Sequence, residues 1–216
     1  SKYLETGFIY SLDLGIDSQD YLHVGLLDNY ADGNPQFAKR LSLYSNASVD
    51  PNGDMAQHWV IFSGAGPNVD VPISLSLHLD SADIGRVTLA SISQRSPTSD
   101  VIYIDSCVAD GCTGQNSQLV ELPSSWDTYS VISDVEILGI GQALYLSFIG
   151  LDNTTVKNQV YYKRDALSSY DSLANISDTD DTWKFTLEMT TVVGRDPGLP
   201  GIFPATAWME TDFGSK

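Results

Sequence analysis

The residues able to do chemistry in this chain fall into a few groups, each implying a different kind of site. Asp50-Pro-Asn52-Gly-Asp54 sets oxygen-bearing side chains at alternate positions around a glycine turn. A calcium loop presents hard oxygen ligands in this way, so calcium is the one cofactor the sequence admits, with Asp50, Asn52 and Asp54 as its ligands. His58 stands where such a loop offers a further acid, and no glutamate occupies the last EF-hand position. His23, His58 and His78 lie in strand-like stretches without His-x-His or His-Glu-x-x-His spacing, so they read as strand histidines rather than as a metal centre. His23 and His78 occupy similar places in successive units, which would bring them near each other. The glutamates Glu5, Glu121, Glu136, Glu188 and Glu210 belong to no glycosidase-like motif, and neither a Gly-x-Ser-x-Gly elbow nor a phosphate-cradling glycine loop is present. The chain reads as a non-catalytic binding module. A small secreted hydrolase or lyase acting on polysaccharide is one alternative, and a structural or attachment glycoprotein with protein partners is another.

Two further groups place the chain outside the cell. Cys107 and Cys112 enclose Val-Ala-Asp-Gly, and Asp110-Gly111 supplies a turn that would bring the sulfurs together. The expectation is a local disulfide, of modest stabilising effect because the ring is short. Asn46-Ala-Ser48, Asn153-Thr-Thr155 and Asn175-Ile-Ser177 are three N-glycosylation sequons beside predicted strand ends. A secreted or cell-surface glycoprotein follows. Its tyrosines and tryptophans, set among many hydroxyl and acidic residues, suit stacking on sugars. Trp59, Trp126, Trp183 and Tyr161 are therefore the candidate contacts to glycans or glycoproteins.

Charge excludes other partners. Among 216 residues, 28 are acidic and 11 basic, a net charge of -17 that repels nucleic acid and anionic membrane surfaces. No run approaches the roughly 20 apolar residues that span a bilayer. The longest candidate, from Ile137 to Ile149, is interrupted by Gly139, Gly141 and Gln142. No leader is visible, so the sequence is expected to be a processed form.

The elements that must position these groups are strands. Alternation of period two recurs at Tyr21 to Leu26, Ile73 to Leu79, Val87 to Ile92, Val101 to Ile104 and Ala143 to Ile149. A loose repeat of strand, tight break, strand, longer loop and strand starts at Phe8, Ile73 and Val131, with a partial unit from Trp183. Trp59, Trp126 and Trp183 each precede or open a unit. The expectation is one all-β domain over 1–216, with units at 8–62, 71–126, 129–182 and 183–216. Its architecture would be a propeller-like array of about four antiparallel sheets, the alternative being a two-sheet sandwich or jelly roll. Such an array would close its ring or cover its edges by self-association if it forms an oligomer. Gly194 to Pro204, with its prolines and glycines, is expected to lack regular structure and to anchor across the domain end through Leu199, Ile202 and Phe203.

Three resemblances accompany these readings. Leu144-Tyr-Leu-Ser-Phe-Ile-Gly150, a polar loop and then Gln159-Val-Tyr-Tyr-Lys163 resemble blades of sialidase-like and lectin-type propellers. Asp50 to Asp54 with Trp59-Val-Ile-Phe is similar to the calcium loop and following strand of integrin-type propeller repeats, which would imply calcium. Asp50-Pro-Asn-Gly53 and Arg195-Asp196-Pro197 resemble two motifs of invertase-type glycosidases. That family's aromatic residues before the first motif are missing here, and the chain is shorter than its catalytic domain.

Overall fold

The computed structural model describes residues 8–17, 19–29, 39–49, 55–64, 71–80, 86–96, 99–108, 113–120, 122, 132–140, 143–152, 157–164, 166, 173–177, 183–194 and 201–211. These form strands and turns without a helix, so no described segment is a helix long and apolar enough to cross a membrane. The first sheet holds β1 (Phe8–Ile16), β2 (Leu22–Asn29), β3 (Lys39–Val49) and β4 (Met55–Gly64). The second holds β5 (Val71–Asp80), β6 (Arg86–Ser96), β7 (Ser99–Val108) and β8 (Thr113–Leu119). The third holds β9 (Ile132–Ile140), β10 (Ala143–Asp152), β11 (Lys157–Lys163) and β12 (Ala174–Asn175). The fourth is the hairpin β13 (Trp183–Gly194) and β14 (Gly201–Thr211). Within each sheet the strands pair antiparallel in chain order.

Four separately bonded sheets, rather than the two of a sandwich, therefore make a propeller-like array. Its inner strands adjoin in series, β1 on β5, β5 on β9 and β9 on β13. The array is open: no comparable packing joins β13 back to β1 among the described residues. Period-two alternation explains the stacking, because an inner sheet must present an apolar face on both sides. Leu27 and Leu43 of the first sheet pack on Leu75, Val87 and Leu89 of the second. The other face of the second sheet sends Ala90, Ile92, Ile102 and Ile104 against Val135, Ile137, Leu146 and Phe148 of the third. Ile149 and Val160, on the far side of the third sheet, meet Leu187 and Trp208 of the fourth.

Two glycines permit the close approach between sheets. A Cβ on Gly15 would stand 2.7 Å from Leu79 Cδ1, and one on Gly139 would collide with the His78 ring. His78 thus faces the third sheet. His23 lies wholly buried on β2 against Asp17, and the two histidines serve different contacts.

Of the segment from Gly194 to Pro204, residues 195–200, Leu199 among them, lie outside the described residues, and the described ones depart from expectation. Gly201 to Pro204 opens β14, and Ile202 and Phe203 are exposed rather than anchored. Pro204 is tolerated because β14 pairs only with β13, and an edge strand has one row of N–H groups without partners.

Candidate interaction surfaces and the acidic inner edge

The inner strands carry a polar device that bridges each sheet to the next. Asp13 of β1 accepts the N–H of its neighbour Leu14 at 2.7 Å through Oδ1, and the N–H of Leu77 on β5 at 2.7 Å through Oδ2. Asp134 of β9 repeats the arrangement, accepting from Val135 at 3.0 Å and from Leu187 on β13 at 2.8 Å. Between them, Ser76 of β5 accepts the Ile137 N–H at 3.2 Å and donates its hydroxyl to Glu136 at 3.1 Å. Asp100 at the start of β7 adds a bond from the Ile132 N–H at 2.7 Å. An inner strand has an open hydrogen-bonding edge, and these side chains satisfy amides that stacking removes from water.

Burial shifts the proton affinities of several of these carboxyls. Burial pushes Asp134 and Asp100 above the usual carboxylate range despite the amides they accept. Glu136 is pushed up to about 8, chiefly by burial, with the charges of Glu188, Asp13 and Asp134 acting in the same direction. Its carboxyl is therefore largely protonated at neutral pH. Among the described residues, no group of three or more His, Cys, Asp or Glu side chains is arranged to hold a metal ion. The Asp13 and Asp134 oxygens are instead committed to backbone amides.

At the turn from β1 to β2, Asp17 Oδ1 accepts from the N–H groups of Gln19 and Tyr21, and Oδ2 lies 2.9 Å from His23 Nε2. Burial raises its proton affinity, but these bonds outweigh burial and hold the carboxyl below its usual range. Asp20 takes a left-handed φ of 64° there, a conformation aspartate tolerates in turns.

Among the described residues, exposed apolar side chains gather on the fourth sheet and along β1. On the fourth sheet Leu187, Met189 and Trp208 point inward, and their neighbours point away. Cross-strand partners share a face, so Phe185 and Met209, Val192 and Phe203, and Glu188 and Ala207 stand together on the outward side. Trp183 joins them, and it and Met209 are 53% and 55% exposed. A register shift between Phe185 and Leu187, with Thr186 at φ 53°, sets both Phe185 and Glu188 on this side. At the other end, Tyr10, Leu12, Leu14 and Ile16 alternate along the open face of β1, with Leu14 58% and Ile16 64% exposed. Beside them on β2, Val24 and Leu26 are buried with Tyr44.

The residues singled out from sequence are dispersed. Trp183 belongs to the outward face. Tyr161 does not face solvent, because its ring stacks on Phe148 with centroids 5.4 Å apart inside the core between the second and third sheets. Trp59 lies on β4, its side chain outside the described residues, as do Trp126, Asp50, Asn52 and Asp54 altogether. Cys107 lies on β7, but its side chain and all of Cys112 fall outside the described residues, as does Asn153. Asn46 is exposed on β3 and accepts the Leu22 N–H at 2.6 Å. Asn175 is exposed on β12 and accepts from both the N–H and the hydroxyl of Ser177 at 3.1 Å. Sequence reasoning missed Asp13, Ser76, Asp134 and Glu136. Their one local signal was a polar residue breaking an apolar row on the first strand of a unit. No protein-family profile and no curated protein matches the chain.

Proposed function

We propose that this chain is a non-catalytic, secreted interaction module that docks on protein surfaces through the outward face of its fourth sheet. The observation that carries the reading is the exposed apolar residues on one side of the two-stranded sheet, Trp183, Phe185 and Met209 toward one end and Val192 and Phe203 toward the other, with Glu188, Thr190, Ala205 and Ala207 between them. Fully burying a large apolar side chain is worth about 1.5–3 kcal/mol, so covering five half-exposed ones recovers roughly 5 kcal/mol. A sugar site needs polar groups converging around one or two aromatic faces. This face is apolar for most of its length, which suits a protein partner better. Secretion rests on the three sequons and on the disulfide expected between Cys107 and Cys112, and the partner class on the face itself.

The test is a paired screen against a glycan array and a panel of secreted proteins, using the wild-type chain, Phe185→Glu and Trp183→Ala. Protein partners bound by the wild type and lost with Phe185→Glu support docking. Glycan binding abolished by Trp183→Ala, with no protein partner, refutes it and restores sugar recognition.

A second reading rests on Glu136 of β9, on which the charge of Glu188 acts. A carboxyl held protonated near an exposed carboxylate is the acid–base pairing of polysaccharide hydrolysis. Turnover of a polysaccharide panel that vanishes in both Glu136→Gln and Glu188→Gln would establish it. Activity surviving either change would end it.

A further inference from the structure

We propose that the outer edge of β14 takes up an extended strand from another polypeptide, which adds to the fourth sheet as its third strand. The site is the edge of that sheet and not its outward face, so it goes beyond the docking reading above and is independent of it.

The three four-stranded sheets show what the fourth lacks. In each, the second strand is paired on both sides: β2 with β1 and β3, β6 with β5 and β7, and β10 with β9 and β11. Within those strands residues 23–28, 87–92 and 146–150 are buried throughout. β14 holds the same place in the fourth sheet, yet among the described residues it pairs with β13 alone, and none of its 11 residues is buried. Coverage falls away toward that edge. Leu187 and Met189 of β13 are buried, but Trp208 and Thr206, their partners across the hairpin on the same inward side, are only half-buried. The third sheet is uncovered at the matching place. Trp208 packs on the cluster that includes Val160 of β11, so a strand beyond β14 would lie over the outer part of the third sheet. Tyr162 is two residues on from Val160 and turns to the same side, where its ring stacks on Tyr145 with centroids 6.2 Å apart. Both tyrosines are half-buried, and Ile176, whose N–H donates to the Val160 carbonyl, is 39% exposed.

An open strand edge offers backbone N–H and C=O groups in alternation, which another extended backbone matches along its whole length. To cover the third sheet, that strand needs apolar residues at alternate positions. β14 carries Glu210 and no basic residue, and the chain has a net charge of -17, so a neutral or basic strand fits and an acidic one does not. β11, itself the third strand of its sheet, has this character: Val160 and Tyr162 alternate, and it holds Lys157 and Lys163 but no acid.

The probe is a capped synthetic peptide of residues 157–164, Lys-Asn-Gln-Val-Tyr-Tyr-Lys-Arg, titrated into the whole chain. Its controls are a scrambled peptide of the same composition, which keeps the charge, and two versions N-methylated on one or the other alternate set of backbone nitrogens. The native order is expected to bind about 10-fold or more tightly than the scrambled one, and one of the two methylated versions to lose binding. Amide hydrogen exchange with the peptide bound is expected to gain protection along β14 and not along β8, an edge whose sheet already has four strands. Successive strand residues turn their amides to opposite edges, so one of Thr206→Pro and Ala207→Pro removes an outward N–H while sparing the pairing with β13. The variant that keeps the wild-type far-ultraviolet dichroism spectrum is expected to weaken binding about 10-fold or more. Equal binding of the scrambled peptide, no binding at all, or protection confined to other strands overturns the proposal. Protection of β14 that rises with protein concentration alone gives the edge to a second copy and overturns it too. Phe185→Glu is expected to leave peptide binding unchanged; if it abolishes binding, the peptide sits on the outward face, so the edge proposal falls and docking stands. If the edge takes the peptide while the protein panel finds no partner sensitive to Phe185→Glu, docking falls and the edge stands.

Discussion

Replacing Glu136 by glutamine isolates the largest electrostatic strain in the array. The carboxyl accepts the Ser76 hydroxyl at 3.1 Å, a bond the glutamine oxygen can also accept. The substitution therefore removes a proton equilibrium and leaves shape and bonding nearly unchanged. The folded pKa, about 8, lies above the ordinary 4.5, chiefly through burial and then through Glu188, Asp13 and Asp134. A carboxyl raised on folding favours the protonated fold. Its contribution to stability is complete below pH 4.5 and is lost progressively as pH rises toward 8. At ~1.36 kcal/mol per tenfold change in proton affinity, a fully shielded group with this rise would lose about 4–5 kcal/mol. Glu136 keeps partial contact with water, and screening reduces the expected loss to about 2–3 kcal/mol. Urea unfolding of both proteins at intervals from pH 4 to 8.5 reads this directly. Their stabilities should coincide near pH 4, and Glu136→Gln should pull ahead by about 2–3 kcal/mol near pH 8. Taking the difference cancels most of the slope that Asp100 and Asp134 give to both proteins. A difference that stays flat between pH 5 and 8, or a variant less stable at pH 8, would refute the account of a buried, charge-crowded carboxyl.

Other changes probe the junctions between sheets. Asp134→Ala strands the Leu187 N–H between the third and fourth sheets and should destabilise by about 1.5–3 kcal/mol in urea unfolding, with Asp134→Asn recovering part of the loss. Gly139→Ala drives a methyl into the His78 ring and should cost about 1–3 kcal/mol; His78→Ala in the same chain should relieve it, as a double-mutant cycle would show. Thr186→Asn should raise the melting temperature, gaining about 0.5–1 kcal/mol, because a β-branched residue at φ 53° is strained where asparagine is tolerated. Phe148→Ala empties the aromatic stack with Tyr161 in the largest core and should cost about 3–5 kcal/mol, measured by calorimetry.

The strands that could be read from sequence are those whose neighbours in the chain already state the pattern. β5 alternates apolar and other residues from Pro72 to Asp80, β2, β6 and β10 do so over shorter runs, and their pairing partners follow directly in the chain. The outermost strands gave no such signal. β8 is Thr-Gly-Gln-Asn-Ser-Gln-Leu and β12 is two residues, Ala174 and Asn175, because an edge strand is not required to bury a face on both sides. The start of β14 reads as irregular in sequence because Gly201 and Pro204 are breakers, which an edge strand tolerates. Of the candidate contacts, Trp183 and Tyr161 had equal claims in sequence. Only packing separated them, one at the open end of the array and the other inside its main core.

The sequence by itself determined that the chain is all-β, strongly acidic and built on a recurring unit, since alternation, charge and period are properties of neighbouring or summed residues. The tertiary structure decided which side of each described strand is covered, which carboxylates lie near one another, and that β1 and the outward side of β13 and β14 carry exposed apolar residues. Those outcomes depend on contacts between distant positions: Asp13 meets Leu77 across 64 residues, and Asp134 meets Leu187 across 53. No local pattern encodes such a meeting. It follows from the stacking of whole sheets, which excludes water from the inner strands and obliges each orphaned amide to find its acceptor on the sheet before it.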